Sequence, residues 1–427
     1  MELPSKHVLY LSKRIGARGA GSDGEAAAAS YVLRSFGEYD LDVDMETFSS
    51  WKSDTHGLVI IYLLAIAAFL LFRVSYSLSL ALAVIVFFIF QMETYTWAVT
   101  SRLLPRSNAS NVIGLARPSG SSKQKVLLVA NYDTPKSSPF GRPKLARAYR
   151  LIYILSFICI IAILVVGVVG VGATLTKVSK DAVTTVWIFS SPFALYLLVL
   201  AAMMLFGETR GRYTAGANDN ASGVGVMLSV MANIADKPLE NTEVWGIATG
   251  RNGAGARGMI AFLHRHKHTM RGAYIINVDH CGVGDMKVVT REGTMFGFRC
   301  SRRLKRMTME ASRRSKQLEL SRGKNRVKKS DAMAALVRGY KAISIGNDAG
   351  GRFVGWKNKN DTLDTLDRET LDRTAKLVRF LLEKIDHGSR TRRLPRERPV
   401  KEEPTDETIE EGETAEDRDE DLAPASD

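Results

Sequence analysis

The eight residues Gly216–Gly223, GANDNASG, set one carboxylate, Asp219, among small neighbours. They lie after a long apolar run and open the helical pattern VGVMLSVMANIA. Small residues let a backbone approach closely, as a carboxylate shared between metal ions requires. The same residues would also make an ordinary Asn/Asp/Gly turn capping a helix. More acidic and amide groups follow strand-like runs: Asn131 and Asp133 after VLLVA, Asn252 and Gly253 after WGIATGR, and Asp279 at the end of IINVD. A fifth segment, Trp356–Asp367 (WKNKNDTLDTLD), precedes the last helical pattern. Open α/β sheets build their sites at strand C-terminal ends, so these segments are candidates for one site. His280 and Cys281 adjoin Asp279. Neighbours on a strand face opposite ways, so His280 is expected to point away from Asp279 and to be structural.

Strands and helices must alternate to bring such groups together, and the chain has that pattern. Ser22 and Glu25 form a capping-box signal before GEAAAASYVLRSFGEY, and the alternating strand DLDVDMETF follows. NVIGLARP and KQKVLLVANYD read as two strands. After Ser222 the order is helix, strand TEVWGIATG, helix RGMIAFLHRHK, strand GAYIINVD, a basic helix near 298–316, strand KAISIG and the helix TLDRETLDRTAKLVRFLLEKI. The fold class is therefore α/β, a mostly parallel mixed sheet covered by helices on both faces. The basic helix, SRRLKRMTMEASRRSK, reads as an exposed face, and His264, His266 and His268 as a solvated helix end.

Four apolar runs interrupt this pattern: Gly57–Phe72, a second run ending at Gln91, Leu151–Leu175 and Val183–Phe206. A span takes about 20 apolar residues to cross roughly 30 Å of hydrocarbon. The last two meet that length. The first is short, and only Arg73 to Tyr76 part it from the second, so two spans or one bent re-entrant pair are both open. Tyr95, Trp97 and Trp187 stand where interfacial aromatics belong. The expected division is 1–56, 93–149 and 207–388 as parts of one soluble domain, 57–92 and 150–206 as transmembrane hairpins, and 389–427 as a disordered tail. The piece 93–149 is rich in Arg and Lys, with Glu93 and Asp133 its only acids. The positive-inside rule then predicts a multi-pass protein of the cell membrane with its soluble parts in the cytoplasm.

Charge is just as uneven. Residues 402–427 hold 13 of the 45 acidic residues and one basic residue, Arg418, which leaves 58 basic against 32 acidic residues in 1–401, a net +26. No basic motif with interleaved aromatics is present, so a lipid bilayer and not nucleic acid is the expected partner. The three cysteines, Cys159, Cys281 and Cys300, show no paired or zinc-finger spacing.

With its motifs in this order, the chain resembles the di-zinc aminopeptidases of metallopeptidase family 28 over roughly 5–50, 108–135 and 213–387. GANDNASG, IINVD and NDTLDTLDRETLDRTAKLV carry the resemblance, and the apolar runs stand as insertions. The resemblance implies two zinc ions sharing one aspartate, each with one histidine and one further carboxylate, and a glutamate as general base. Asp219 takes the bridging place and Asp279 one carboxylate place. The histidine of the first motif falls on Asn131, with its aspartate kept as Asp133. The Glu-Glu pair falls on Asn252, in the general-base position, and Gly253; the last histidine falls on Lys357.

Two of five ligands thus remain, too few for zinc. The expected replacement is the ammonium of Lys357, helped by Arg251, set between Asp219 and Asp279. Three functions follow. One is a catalytically degenerate domain that binds or scaffolds a peptide or protein partner without a cofactor. Another is an active membrane aminopeptidase with zinc on reassigned ligands. The last is an interaction protein acting through its helical bundle.

Overall fold

The computed structural model describes residues 2–350 and 353–389. Its strands are β1 (Asp42–Ser50), β2 (Ser107–Ala116), β3 (Gln124–Asn131), β4 (Thr242–Thr249), β5 (Tyr274–Val278), β6 (Asp285–Glu292), β7 (Phe298–Arg299), β8 (Ser321–Asn325) and β9 (Lys341–Asp348).

 Their order in the sheet is β1-β2-β4-β3-β5-β9-β6-β7, with β8 beside β6. The central strands β4, β3, β5 and β9 run parallel, while β1, β2, β6 and β7 join antiparallel at the two sides. The sheet is thus mixed, with parallel pairing confined mainly to its centre. The sequence pattern overstated the parallel share because the antiparallel β6 and β7, and the short β8, gave no clear strand signal.

The helices are α1 (Pro4–Leu9), α2 (Asp23–Glu38), α3 (Thr55–Leu71), α4 (Tyr76–Thr94), α5 (Pro143–Thr176), α6 (Lys180–Phe189), α7 (Ser191–Arg210), α8 (Ser222–Asp236), α9 (Arg257–Arg265), α10 (Arg302–Ser312), α11 (Asp331–Val337) and α12 (Arg368–Ser389). Strand alternation sorts the core into two layers. Val126, Leu128 and Ala130 of β3 face one way, into a core with α1, α2, α8, α10 and α12. Leu127 and Val129 face the other way, against α9 and α11. Ser22 caps α2 by accepting from the Glu25 amide, while the Glu25 carboxylate reaches the Gly21 amide. On α10, Leu304, Met307 and Ala311 are buried, and Arg302 and Arg303 are exposed.

Four of the remaining helices, α3, α4, α5 and α7, form a separate apolar bundle with its own core around Ile61, Phe90, Ile160 and Leu197. Its outer surface is also apolar, with Leu155, Ile158, Val165, Leu195 and Phe206 exposed. Three helical segments among the described residues are long and apolar enough to cross a membrane: Tyr76–Thr94, Pro143–Thr176 and Lys180–Arg210. The last includes the bend at Ser190, where Pro192 starts α7. The first expected span is the exception. With 17 residues α3 reaches only about 25 Å at 1.5 Å per residue. The basic stretch from Ser389 onward and the acidic tail fall on 390–427, outside the described residues apart from the end of α12.

Arg18 ties the N-terminal segment to the centre of the sheet. It is fully buried, and its guanidinium donates to the carbonyls of Tyr132, Leu11, Gly16, Ala215 and Gly216 at 2.8–2.9 Å. Burial brings its pKa down to about 10, against the pull of Asp361, Asp133 and Asp219, so it stays charged at neutral pH. Arg18→Met keeps much of the volume but leaves these carbonyls unpaired. The expected cost is about 3–5 kcal/mol of unfolding free energy, the range for breaking a buried charged network. Thermal and denaturant unfolding of the detergent-solubilised variant measure it, and a loss below about 1 kcal/mol would contradict this role.

Candidate functional site

The loop 216–223 crosses the C-terminal ends of the central strands, and its side chains hold neighbouring loops in place. Asn218 Nδ2 donates to the Val354 carbonyl, and its Oδ1 accepts from the Gly282 amide. Asn220 Nδ2 donates to Asn131 Oδ1 and the Val278 carbonyl, while its Oδ1 accepts from the amides of Gly223 and His280. Ser222 Oγ accepts from the Cys281 amide. Asp361 accepts from the amides of Asn218 and Asp219 at 2.8 and 2.9 Å. Two glycines have steric reasons. Gly216 sits at φ +58°, and a Cβ there would lie 2.3 Å from the Thr134 methyl; a Cβ on Gly223 would lie 2.4 Å from the Val278 carbonyl oxygen.

This frame turns Asp219 toward Asp279. A lysine amine lies between them, and it belongs to Lys328. Its Nζ is 2.7 Å from Asp219 Oδ1 and 3.1 Å from Asp279 Oδ1. Lys357, expected in this place, forms no ion pair or hydrogen bond with either carboxylate. Its amine lies 5.6 Å from the centre of the Trp356 ring, and its backbone carbonyl accepts from the Ser138 amide. Both lysines line the same cleft, but the backbone at Lys357 has φ +49° and directs the side chain elsewhere.

A tight turn delivers Lys328. Asn325 Oδ1 accepts from the amides of Val327 and Lys328, and its Nδ2 donates to Glu292 and to the Lys328 carbonyl. Glu292 also accepts from Ser330 and Ser344. Ser330 then caps α11. The next lysine, Lys329, pairs with Asp54 at 3.2 Å.

His280 also belongs to the cluster, contrary to the strand-based expectation. Its φ of +56° breaks strand alternation, and its Nδ1 lies 2.7 Å from Asp279 Oδ1, with Nε2 3.6 Å from Asp219 Oδ1. All four groups are buried. Burial opposes the charges of Lys328, Asp279 and His280, but their partners prevail. Lys328 and His280 hold Asp279 well below the usual carboxylate range. Asp219 and Asp279 hold Lys328 above the usual amine range and raise His280.

The other expected residues form a second, adjoining network. Asp133 accepts from the amides of Asn252 and Gly253 at 3.0 Å and from Asn131 Nδ2 at 3.2 Å. Burial still raises its pKa. Asn252 Nδ2 donates to Asp331, which burial raises to about 6. Arg251 does not join the lysine. It pairs with Glu25 at 3.0 Å and donates to Ser107 Oγ and the Asn108 carbonyl, so it serves as a buried clamp between strands.

Asp219, Asp279 and His280 offer ligand atoms within 4.8 Å of one another, the one such group among the described residues. These residues do not fit a pair of zinc ions. The ammonium of Lys328 stands against both carboxylates, Gly253 offers no side chain, and the Asn131 oxygen already accepts from Asn220. Sequence reasoning missed Lys328, Asp331 and Glu292. The available signal was SDAMAALV, a Ser–Asp helix start that fixes where the preceding KK must enter.

Residues 202–382 match peptidase family M28. A glutaminyl cyclase from Bacteroides thetaiotaomicron, solved with N-acetylhistamine, has a similar fold: TM-score 0.53 at 14% identity, covering 89% of this chain and 97% of that one. A leucine aminopeptidase precursor from the same species gives 0.53 at 13%, with 89% and 96% covered. A zinc aminopeptidase from Bacillus subtilis gives 0.52 at 14%, with 90% and 94% covered. No curated protein sequence matches the chain.

The cluster predicts a distinctive pH response. The Asp279 contribution is present above the unfolded carboxylate pKa, about 3.9, and is lost only as pH falls through its lower folded value. The Lys328 contribution is present below about 10.4 and is lost as pH rises beyond it. Both are therefore constant from about pH 5 to 9. In Lys328→Met burial is left to raise the Asp279 carboxyl, and the folded state holds the extra proton more tightly. The stability difference from the native chain should then be about 3–5 kcal/mol at pH 8 and clearly smaller at pH 5. Equal losses at both pH values would show that Lys328 does not compensate these charges.

Proposed function

We propose, on the premise that the chain belongs to peptidase family M28, that it keeps the family fold without two-zinc hydrolysis and acts as a membrane-anchored binding module. One observation carries this reading: Lys328 Nζ donates to both Asp219 and Asp279, the two carboxylates matching metal-ligand positions. An ammonium there supplies the compensating charge that a metal would supply, and the position matching the general base is an amide, Asn252. The cleft agrees with this. Leu58, Tyr149, Tyr153 and Met204 of the apolar bundle help to line it, and it encloses about 90 Å³. Pockets for drug-sized ligands hold roughly 300–1,000 Å³. Asp219 lines the cleft, and its buried Oδ2 has no hydrogen-bond partner among the described residues; in this reading it is the acceptor for a bound amine, such as a peptide or protein terminus.

The anchor in this reading is the bundle of α3, α4, α5 and α7. The three long segments cross the bilayer and the shorter α3 enters beside them, with the soluble domain on the cytoplasmic side by the charge of 93–149. The chain is expected to stay in the membrane pellet after alkaline carbonate extraction and to need detergent for release. Recovery in the carbonate supernatant would remove the anchor.

A second reading has a specific observation in its favour. His280 joins Asp219 and Asp279, so displacement of Lys328 would leave three donors, enough for one metal with an open position. In that case the chain is a metal-dependent aminopeptidase with reassigned ligands. Metal analysis of purified protein and aminoacyl-amide hydrolysis with and without added Zn²⁺ separate the two. The binding-module reading predicts substoichiometric zinc and no zinc-dependent turnover. Zinc near one per chain, with turnover abolished by Asp219→Ala, would establish the second.

A further inference from the structure

Separate from the cleft, along α9, lies a second concavity, a groove of about 1240 Å³. One end is formed by Thr96, Trp97 and Arg102, which follow directly on α4. The rest runs along the outer face of α9 and the turn after α11 to Lys341. Among the described residues no acidic residue lines it. Glu46, buried in β1, is taken up by Arg265 at 3.1 Å and His266 at 2.5 Å.

Two guanidiniums meet at the membrane-proximal end. Arg338 donates to the Thr96 hydroxyl and lies 5.3 Å from the centre of the Trp97 ring. Arg257 donates to the Thr96 carbonyl at 3.4 Å and stacks over Trp51. Burial brings the pKa of Arg257 down to about 10, and repulsion from Arg338, Arg102 and Arg106 adds to the shift. Arg102, Lys267 and Arg271 are exposed, and their side chains form no hydrogen bond or ion pair among the described residues. Trp97 is 46% exposed at the rim. Concentrated positive charge with donors left open is the complement of a phosphate, and an exposed indole three residues beyond an apolar helix suits the headgroup layer.

We infer that this groove binds the phosphate-bearing headgroup of an anionic phospholipid, with Trp97 at the lipid boundary. The inference rests on the membrane anchor proposed above. Carbonate extraction tests that anchor separately, so failure of the groove and failure of the anchor can be told apart. A lipid is favoured over an acidic protein because the groove opens beside the end of α4.

The test uses the full chain in a neutral detergent, with intrinsic fluorescence as readout and Trp97→Phe to assign the signal. The probes are short-chain phosphatidylglycerol, short-chain phosphatidylcholine, inorganic phosphate and a polyglutamate peptide. Phosphatidylglycerol should bind at least about tenfold more tightly than each of the others. The triple variant Arg102→Gln, Lys267→Gln, Arg271→Gln should lose that affinity by about tenfold or more while unfolding at no lower than the native temperature, since these side chains form no stabilising hydrogen bond or ion pair among the described residues. Inorganic phosphate binding as tightly as the lipid would replace the headgroup with a soluble phosphate. Tighter binding of polyglutamate would make the groove a protein site. No binding, equal binding of phosphatidylcholine, or an unaffected triple variant would overturn the proposal.

Discussion

Two carboxylates buried side by side cannot both remain charged unless a cation lies between them. That requirement organises the centre of this molecule. Asp219 and Asp279 come from different loops and meet at Lys328 Nζ. In a medium of low dielectric, either carboxylate without the amine would take up a proton or force the loops apart. The elements that deliver the lysine are consequently as important as those that deliver the acids. Glu292, Asn325, Ser330 and Ser344 form the support behind Lys328, all of them buried.

The loop 216–223 shows why a metal-bridging motif can persist where its metal chemistry does not fit. Asn218, Asn220 and Ser222 bind backbone groups of 278–282, and Asp361 binds the loop in return. These are buried bonds to main-chain groups, and losing any of them would strand a polar atom without water. The residues around Asp219 thus have a structural use that is independent of what Asp219 faces. A preserved motif of this kind reports the fold more directly than the reaction.

The legibility of the site divides along the same line. GANDNASG, IINVD and the 356–367 segment identified the strand ends and loops that meet, because small and amide residues at those places are constrained by backbone contacts. The identity of the cation was not legible. KNRVKKS reads as a solvated basic turn, and nothing in its composition distinguishes Lys328, which is buried, from Lys329, which pairs with Asp54. Only the turn set by Asn325 makes that distinction. His280 was misjudged for a related reason: strand alternation ends at Val278, and a positive φ two residues later reverses the expected direction. The short β8, which runs parallel to β6, was obscured by charge in RSKQLELSRGKN, whereas the apolar centre of the sheet, VLLVA and YIINV, declared itself.

The apolar bundle and the lysine are connected through the connectivity of the chain. One helical pair is inserted between β1 and β2, and the other helices between β3 and α8. Both insertions leave from the edge of the sheet where the carboxylates gather, so bundle residues become walls of the cleft. A hydrolytic site needs an open metal position and a path for substrate to reach it. Here the corresponding position carries an amine already bonded to both acids, and the path is narrowed by Leu58, Tyr149 and Met204. In the proposed binding-module reading each feature works against one requirement of the reaction, and the two are spatially adjacent. An internal cation also asks nothing of the solvent: it is supplied by folding itself, so the cluster's charge balance does not depend on metal supply or on access through the narrowed cleft.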